Sequence, residues 1–234
     1  MTTTGTTTSA VLTPLEVLTA AAAVIRARGY YQPLSRQWEP QVPTAMDTER
    51  FLFGWQPVER GDKQRFAAQA PAAAAEAPAV LAWCAQGEPG NDYRQKLARI
   101  IRAGRAAEKD IPLLCSAVSS YQRDQRKAAA IADRAADAEH SRHQAAKGKR
   151  ITVTATVAVV IDQGSRTYGY SVQPRLLVKL RDADHNVFVW EAKTENVPAQ
   201  GDRVEISGTV SAHGQYEGTA QTNLIRCRWT PARG

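Results

Sequence analysis

Two periodicities divide the chain. Up to about residue 121 apolar positions recur at helical spacing, whereas from Ile151 they alternate with polar ones at a period of two. Thr13-Pro14-Leu15-Glu16 opens a helix, with Thr as cap, Pro in the first turn and Glu three residues past the cap. Leu15, Leu18, Ala22 and Ile25 then recur on one face until Gly29. From Tyr30 to Arg65 no period is clear. This stretch is rich in Pro, Gln and rings (Tyr30, Tyr31, Trp38, Phe51, Phe53, Trp55), which predicts a loop-rich cap packed onto the helices. Phe66 to Glu76 reads as an Ala-rich helix interrupted at Pro71, with Pro78 starting another that carries Val80, Leu81, Trp83 and Cys84. Asn91 caps a helix through Ala103 that turns Tyr93, Leu97, Ile100 and Ile101 inward. Leu113, Leu114, Val118 and Tyr121 mark the buried stripe of the next. Residues 122–150 are almost all Ala, charged residues, Gln and His, a solvated helical connector with little apolar stripe.

The remaining stretch, 151–234, predicts five strands. Ile151 to Ile161 alternates, with Ile151, Val153, Ala155, Val157, Val159 and Ile161 on one side and Thr152, Thr154 and Thr156 on the other. Further strands run over Arg175 to Arg181, Val187 to Lys193, Arg203 to Val210 and Thr219 to Trp229. Asp182-Ala-Asp-His-Asn186, Pro198-Ala-Gln-Gly201 and Gly214 to Gly218 supply the breaks. Five short strands in so few residues favour a small barrel over a seven-strand sandwich. Gly208 in mid-strand suits a tight bend. The fold class is therefore α+β: a helical N-terminal region over 13–121 behind a disordered tail of residues 1–12, the connector, and a five-stranded β-barrel.

Composition adds compartment and charge. With 43% hydrophobic and 23% charged residues the chain reads as globular. No apolar run approaches the ~20 residues of a membrane span, and the Ala-rich start lacks the basic flank of a signal peptide, so a cytoplasmic location is expected. Cys84, Cys115 and Cys227 are too scattered for a disulfide framework or zinc site. His140 and His143 have ligand spacing but no supporting donors. The net charge of +7 is unevenly shared: residues 151–234 carry nine Lys and Arg against eight Asp and Glu, so the excess lies in the first 150.

Three segments carry a likeness. Asp182-Ala-Asp-His-Asn-Val-Phe-Val-Trp190, Gly201-Asp-Arg-Val-Glu-Ile-Ser-Gly-Thr-Val210 and the closing His213-x-x-Tyr216-x-Gly218-x-x-Gln221-Thr-x-Leu224-x-Arg226-Cys-Arg228 resemble an OB-fold-like module at the end of uncharacterised bacteriophage and mobile-element proteins. The resemblance covers roughly 150–230. It implies an OB-type barrel in a nucleic-acid-processing context, with partners in a phage, replication or recombination complex.

The candidate chemistry is binding. No phosphate-cradling Gly-rich loop, nucleophile elbow or HExxH is present, and nothing calls for a cofactor or metal; Asp182 and Asp184 suit a hairpin turn. OB barrels hold single strands through exposed rings and basic side chains. The loop after the first strand supplies Arg166, Tyr168 and Tyr170, the third strand Trp190, and the last hairpin Tyr216 with His213 and Gln221. Lys179, Arg181, Lys193, Arg226 and Arg228 are the phosphate partners. Phe188 and Trp190 share one face of their strand and Val187 and Val189 the other, so one pair must be core. Alternation on the last strand exposes Arg226 and Arg228 and turns Ile225 and Cys227 inward. These patterns favour a non-catalytic protein binding single-stranded DNA or RNA. The alternative is an adaptor that docks a partner through the barrel and forms homo-oligomers through the helices.

Overall fold

The computed structural model describes residues 12–168 and 171–232, with 166–168, 171 and 172 described by backbone alone. Residues 1–11 of the tail expected to be disordered and Tyr170 therefore lie outside the described residues, while Leu12, the tail's last residue, bridges to Ala106. The chain divides into two compact units, Met1–Lys127 and Ala128–Gly234. The cut falls inside a helix rather than at the compositional break near Lys147. Among the described residues no helix is long and apolar enough to cross a membrane.

The first unit is built on α1 (Pro14–Arg28). Thr13 and Glu16 form the reciprocal cap that the sequence predicts. Val17, Leu18 and Ala20 to Ile25 are all buried, so α1 is enclosed on nearly every side; Leu15, expected inward, is exposed. Small alanines let α2 (Thr44–Leu52) and α3 (Asp62–Gln86) approach it.

Helix α3 runs unbroken through Pro71 and Pro78, where the sequence predicts an interruption and a new start. Its buried stripe is Phe66, Ala73, Ala77, Val80 and Cys84, while both prolines sit on the solvent side. The carbonyl that each proline strips of its donor lies one turn back on that same wet face, so water satisfies it and tertiary burial holds the helix together. Asn91 caps α4 (Asp92–Ala103), and α5 (Ile111–His140) carries Ile111, Leu114, Cys115 and Val118 into the core.

The aromatic loop also holds an ion cluster. Arg28, nearly buried, pairs with Asp47 at 2.6 Å, Asp62 at 3.1 Å and Glu59 at 3.1 Å. Arg65 adds a second bond to Asp62, and within the cluster Asp47 and Asp62 are buried while Glu59 and Arg65 reach solvent. Burial pushes the Asp47 carboxyl up to about 6 against the pull of Arg28.

The second unit closes into a barrel of strand order β1-β2-β3-β5-β4. Its strands are β1 (Arg150–Tyr168), β2 (Ser171–Arg181), β3 (Val187–Ala192), β4 (Arg203–Tyr216) and β5 (Thr219–Pro231). Neighbouring pairs are antiparallel except β3 with β5, which run parallel over only Val187–Trp190 and Gln221–Leu224. Ala155, Val157, Val178, Leu180, Phe188, Trp190, Val204, Ile206, Val210 and Leu224 fill the interior.

Gly208 stands where β5 gains an extra residue: Ser207 faces Arg228 and Thr209 faces Ile225, so Arg226 and Cys227 together oppose Gly208. A Cβ there would sit 2.8 Å from Cys227 Sγ and 3.2 Å from Leu224 Cβ. The bend needs a glycine for want of space.

The short parallel seam is stapled by the chain that follows α5. Ser141 Oγ donates to Ala220 O at 2.7 Å and accepts from Val187 N at 3.0 Å, bridging β5 and β3. Arg142 N donates to Asn186 Oδ1, and Gln144 N donates to Thr222 Oγ1. The expected helical connector is thus a helix only to His140, and 141–144 is part of the barrel's closure.

Candidate nucleic-acid interface

Alternation and register sort the barrel's outer surface into two regions. On strands β2 and β3 the outward positions are Lys179, Arg181, Val187 and Val189. Here the end of α5 supplies counter-charges. Asp137, fully buried, receives Arg181 Nη2 at 2.9 Å, with Lys179 Nζ at 3.8 Å and His185 Nδ1 at 3.4 Å. Asp133 pairs with Arg181 Nη1 at 2.9 Å. Burial works against the Arg181 charge, but the hydrogen bonds to Asp137 and Asp133 outweigh it and hold the guanidinium above the usual arginine range. Lys179 and Arg181, read as phosphate partners, are therefore committed to carboxylates of their own chain.

Trp190 is corrected likewise. It is 6% exposed and lies with Phe188 inside the barrel, so it has no ring face to offer a base. A small barrel must fill its interior with volume, and two rings supply it. Val187 and Val189 are buried too, so the choice of one pair as core resolves into both pairs buried on opposite faces.

The second region is the outer face of β1, β4 and β5. Arg150, Thr152 and Thr154 on β1, Arg203, Glu205 and Ser207 on β4, and Arg226, Arg228 and Thr230 on β5 point away from the core. Register aligns Thr152, Ser207 and Arg228 across three strands, and Thr152 Oγ1 lies 2.9 Å from Ser207 Oγ. Arg150, Arg203, Arg226 and Arg228 have no ion-pair partner among the described residues. One carboxylate, Glu205, is set among these four cations.

The bulge rearranges the expected alternation. Arg226 takes φ +53°, which turns it outward beside Ile225, itself 44% exposed. Ile225, expected inward, is on the surface, while Leu224 and Cys227 take the interior. Burial pushes the Cys227 thiol up to about 12, which favours the protonated thiol.

Tyr216 is 61% exposed at the β4–β5 turn. It pairs with Thr219, seven residues up β5 from Arg226, a distance of about 23 Å along the strand. The ring and the arginines are therefore separated along the strand rather than gathered in a single patch. His213 is exposed and stacks in parallel on His143 at 4.6 Å, with His143 Nε2 2.9 Å from Gly214 O. Gln221 is half-buried in the seam, and Lys193 is exposed just beyond β3. Arg166 and Tyr168 belong to β1, and their side chains, like Tyr170, lie outside the described residues.

Arg150, Thr152, Arg203 and Ser207 were not among the site residues expected from the sequence. Alternation alone puts Thr152 on an outer face, but only the β1–β4–β5 register brings it to Arg228. Among the described residues no group of three or more His, Cys, Asp or Glu is placed to hold a metal ion.

The architecture is that of a helical unit followed by a closed five-stranded OB-like barrel. No protein-family model, curated protein or solved structure matches the chain.

Proposed function

We propose that the chain is a non-catalytic binder of single-stranded nucleic acid, gripped along the outer face of β1, β4 and β5 and the β4–β5 turn. The observation that carries this reading is the set of exposed arginines at 150, 203, 226 and 228, without ion-pair partners among the described residues, on a face that also carries the hydroxyls of Thr152, Thr154, Ser207 and Thr230 and a single carboxylate, Glu205. Guanidinium and hydroxyl groups suit phosphate oxygens. The exposed Tyr216 ring at the far end of the track offers a base-stacking platform. A track of about 23 Å suits several nucleotides, within the range of about 4–16 that one OB fold covers. The resemblance of the closing hairpin to phage and mobile-element modules points the same way.

The test is anisotropy of a labelled oligothymidylate across a salt series. Arg226→Gln with Arg228→Gln should weaken binding and flatten the log-log salt slope by about 1.4, at roughly 0.7 per phosphate contact. Tyr216→Ala should weaken binding about tenfold or more, since stacking on one ring is worth roughly 1–3 kcal/mol, with melting unchanged. Wild-type affinity and slope in both variants would remove the barrel face from consideration.

A further inference from the structure

The first unit carries its own concave cationic surface. Helix α4, the turn over Glu108–Asp110 and the start of α5 enclose a groove of about 620 Å³. Its floor is Ile100, Ala103, Ala106 and Leu113, and its rim is Lys96, Arg99, Arg105 and Lys109. All four rim residues are exposed, and none has an ion-pair partner among the described residues. The one carboxylate in the lining, Asp110, accepts a hydrogen bond from Ala107 N at 2.9 Å and so closes the turn.

The contrast within the unit is informative. Glu59, Asp47 and Asp62 are gathered on Arg28, and Glu76 is paired with Arg26. On α4, by contrast, Lys96, Arg99 and Arg102 follow one another at a spacing of three residues with no anion between them. Like charges at that spacing repel on a helix surface. An external anion entering the groove would relieve that repulsion.

From these observations the geometry points to a second polyphosphate-binding site, in which the backbone of a nucleic-acid single strand lies in the groove between α4 and the start of α5. The inference rests on the reading of the chain as a binder of single-stranded nucleic acid and adds a contact in the first unit. A nucleic-acid strand brings one negative charge per nucleotide and no backbone N–H that needs a partner, so it matches a cationic rim over an aliphatic floor. An extended acidic peptide would leave its amides facing Ile100, Ala103, Ala106 and Leu113, whose side chains accept nothing. The floor has no ring and no free hydrogen-bonding side chain, so the site grips backbone without reading bases and its binding is sequence-independent and salt-sensitive.

The experiment uses the full chain and a labelled oligothymidylate over a salt series. Lys96→Gln, Arg99→Gln, Arg105→Gln and Lys109→Gln together should flatten the log-log slope by up to about 2.8, at roughly 0.7 per phosphate. Replacing the two lysines by arginine instead should leave the slope at its wild-type value. The Arg226→Gln, Arg228→Gln protein is run beside them. A flattened slope in the groove variant alone keeps this site and sinks the barrel reading. A flattened slope in the barrel variant alone overturns the groove and keeps the barrel, and no change in either overturns both. Polyglutamate that binds through the same four residues while oligothymidylate does not would also overturn the proposal. The four side chains are exposed, so an unchanged melt is expected; if the fourfold variant melts early, Arg99→Gln alone should still flatten the slope by about 0.7.

Discussion

Ser141→Ala removes one oxygen from the place where the barrel closes. In the wild type that oxygen accepts from Val187 N on β3 and donates to Ala220 O on β5. Ser141 and Val187 are both buried, so water cannot replace the lost acceptor. An unsatisfied buried N–H costs about 1–3 kcal/mol, and the lost bond to Ala220 a further 0.5–1.5 or so. The β3–β5 ladder spans only four pairs, so the loss should be felt in the opening of that seam before the rest of the unit. The assay is hydrogen exchange on the intact protein, read on peptides covering 186–192 and 219–224. A loss of about 2 kcal/mol accelerates exchange there roughly thirtyfold, at tenfold per 1.4 kcal/mol, while peptides from α1 and α3 keep their wild-type rates. Equal protection across the seam in variant and wild type would refute the view that this side chain holds the barrel shut.

Three further outcomes follow from the same structure. Gly208→Ala pushes a methyl to within 2.8 Å of Cys227 Sγ and should lower barrel stability by about 1–3 kcal/mol in urea unfolding; an unchanged midpoint would show that Cys227 yields freely. Asp47, raised to about 6 from an ordinary 3.8, keeps a proton in the folded chain between those values that the unfolded chain has lost. Stability should therefore decline as pH rises through that window, by at most about 3 kcal/mol, and Asp47→Asn should flatten the decline; parallel pH profiles would contradict it. A fragment of residues 128–234, which keeps Asp137 and Ser141, should melt well above one of 151–234, and coincident melts would show the staple to be idle.

Much of the architecture is legible in single residues. Thr13 and Glu16 announce α1, Asn91 announces α4, and the alternation from Ile151 with Gly208 announces a bent strand in a small barrel, although it holds only to Val157: a register shift there turns Val160 to the core and leaves Ile161, expected on the same side as Val157, exposed. Pro71 and Pro78 mislead because the cost of a proline inside a helix, a lost hydrogen bond and a ring clash, is lowered where the freed carbonyl is wet and is outweighed by burial of the opposite face, and which face is wet emerges from tertiary packing. The role of 141–144 is hidden because its partners lie some 45 to 80 residues downstream. The candidate interface was half legible. Composition names arginines and tyrosines, but alternation cannot foresee that Asp137 takes Arg181 or that a bulge at Arg226 swaps Ile225 for Leu224 in the core. Arg150, Thr152, Arg203 and Ser207 join the site only through pairing register.

The staple also sets an order of assembly. During synthesis, Ser141 emerges well before its acceptor Ala220, and until β5 arrives both β3 and β4 present unpaired edges. A nascent chain paused before Thr219 is thus a set of open strands, the state in which chains adhere to one another. Insertion of β5 between them pairs both edges and brings Ala220 O to the Ser141 hydroxyl. Ribosome pausing or premature truncation inside the final hairpin should accordingly yield aggregates rather than a partly active protein.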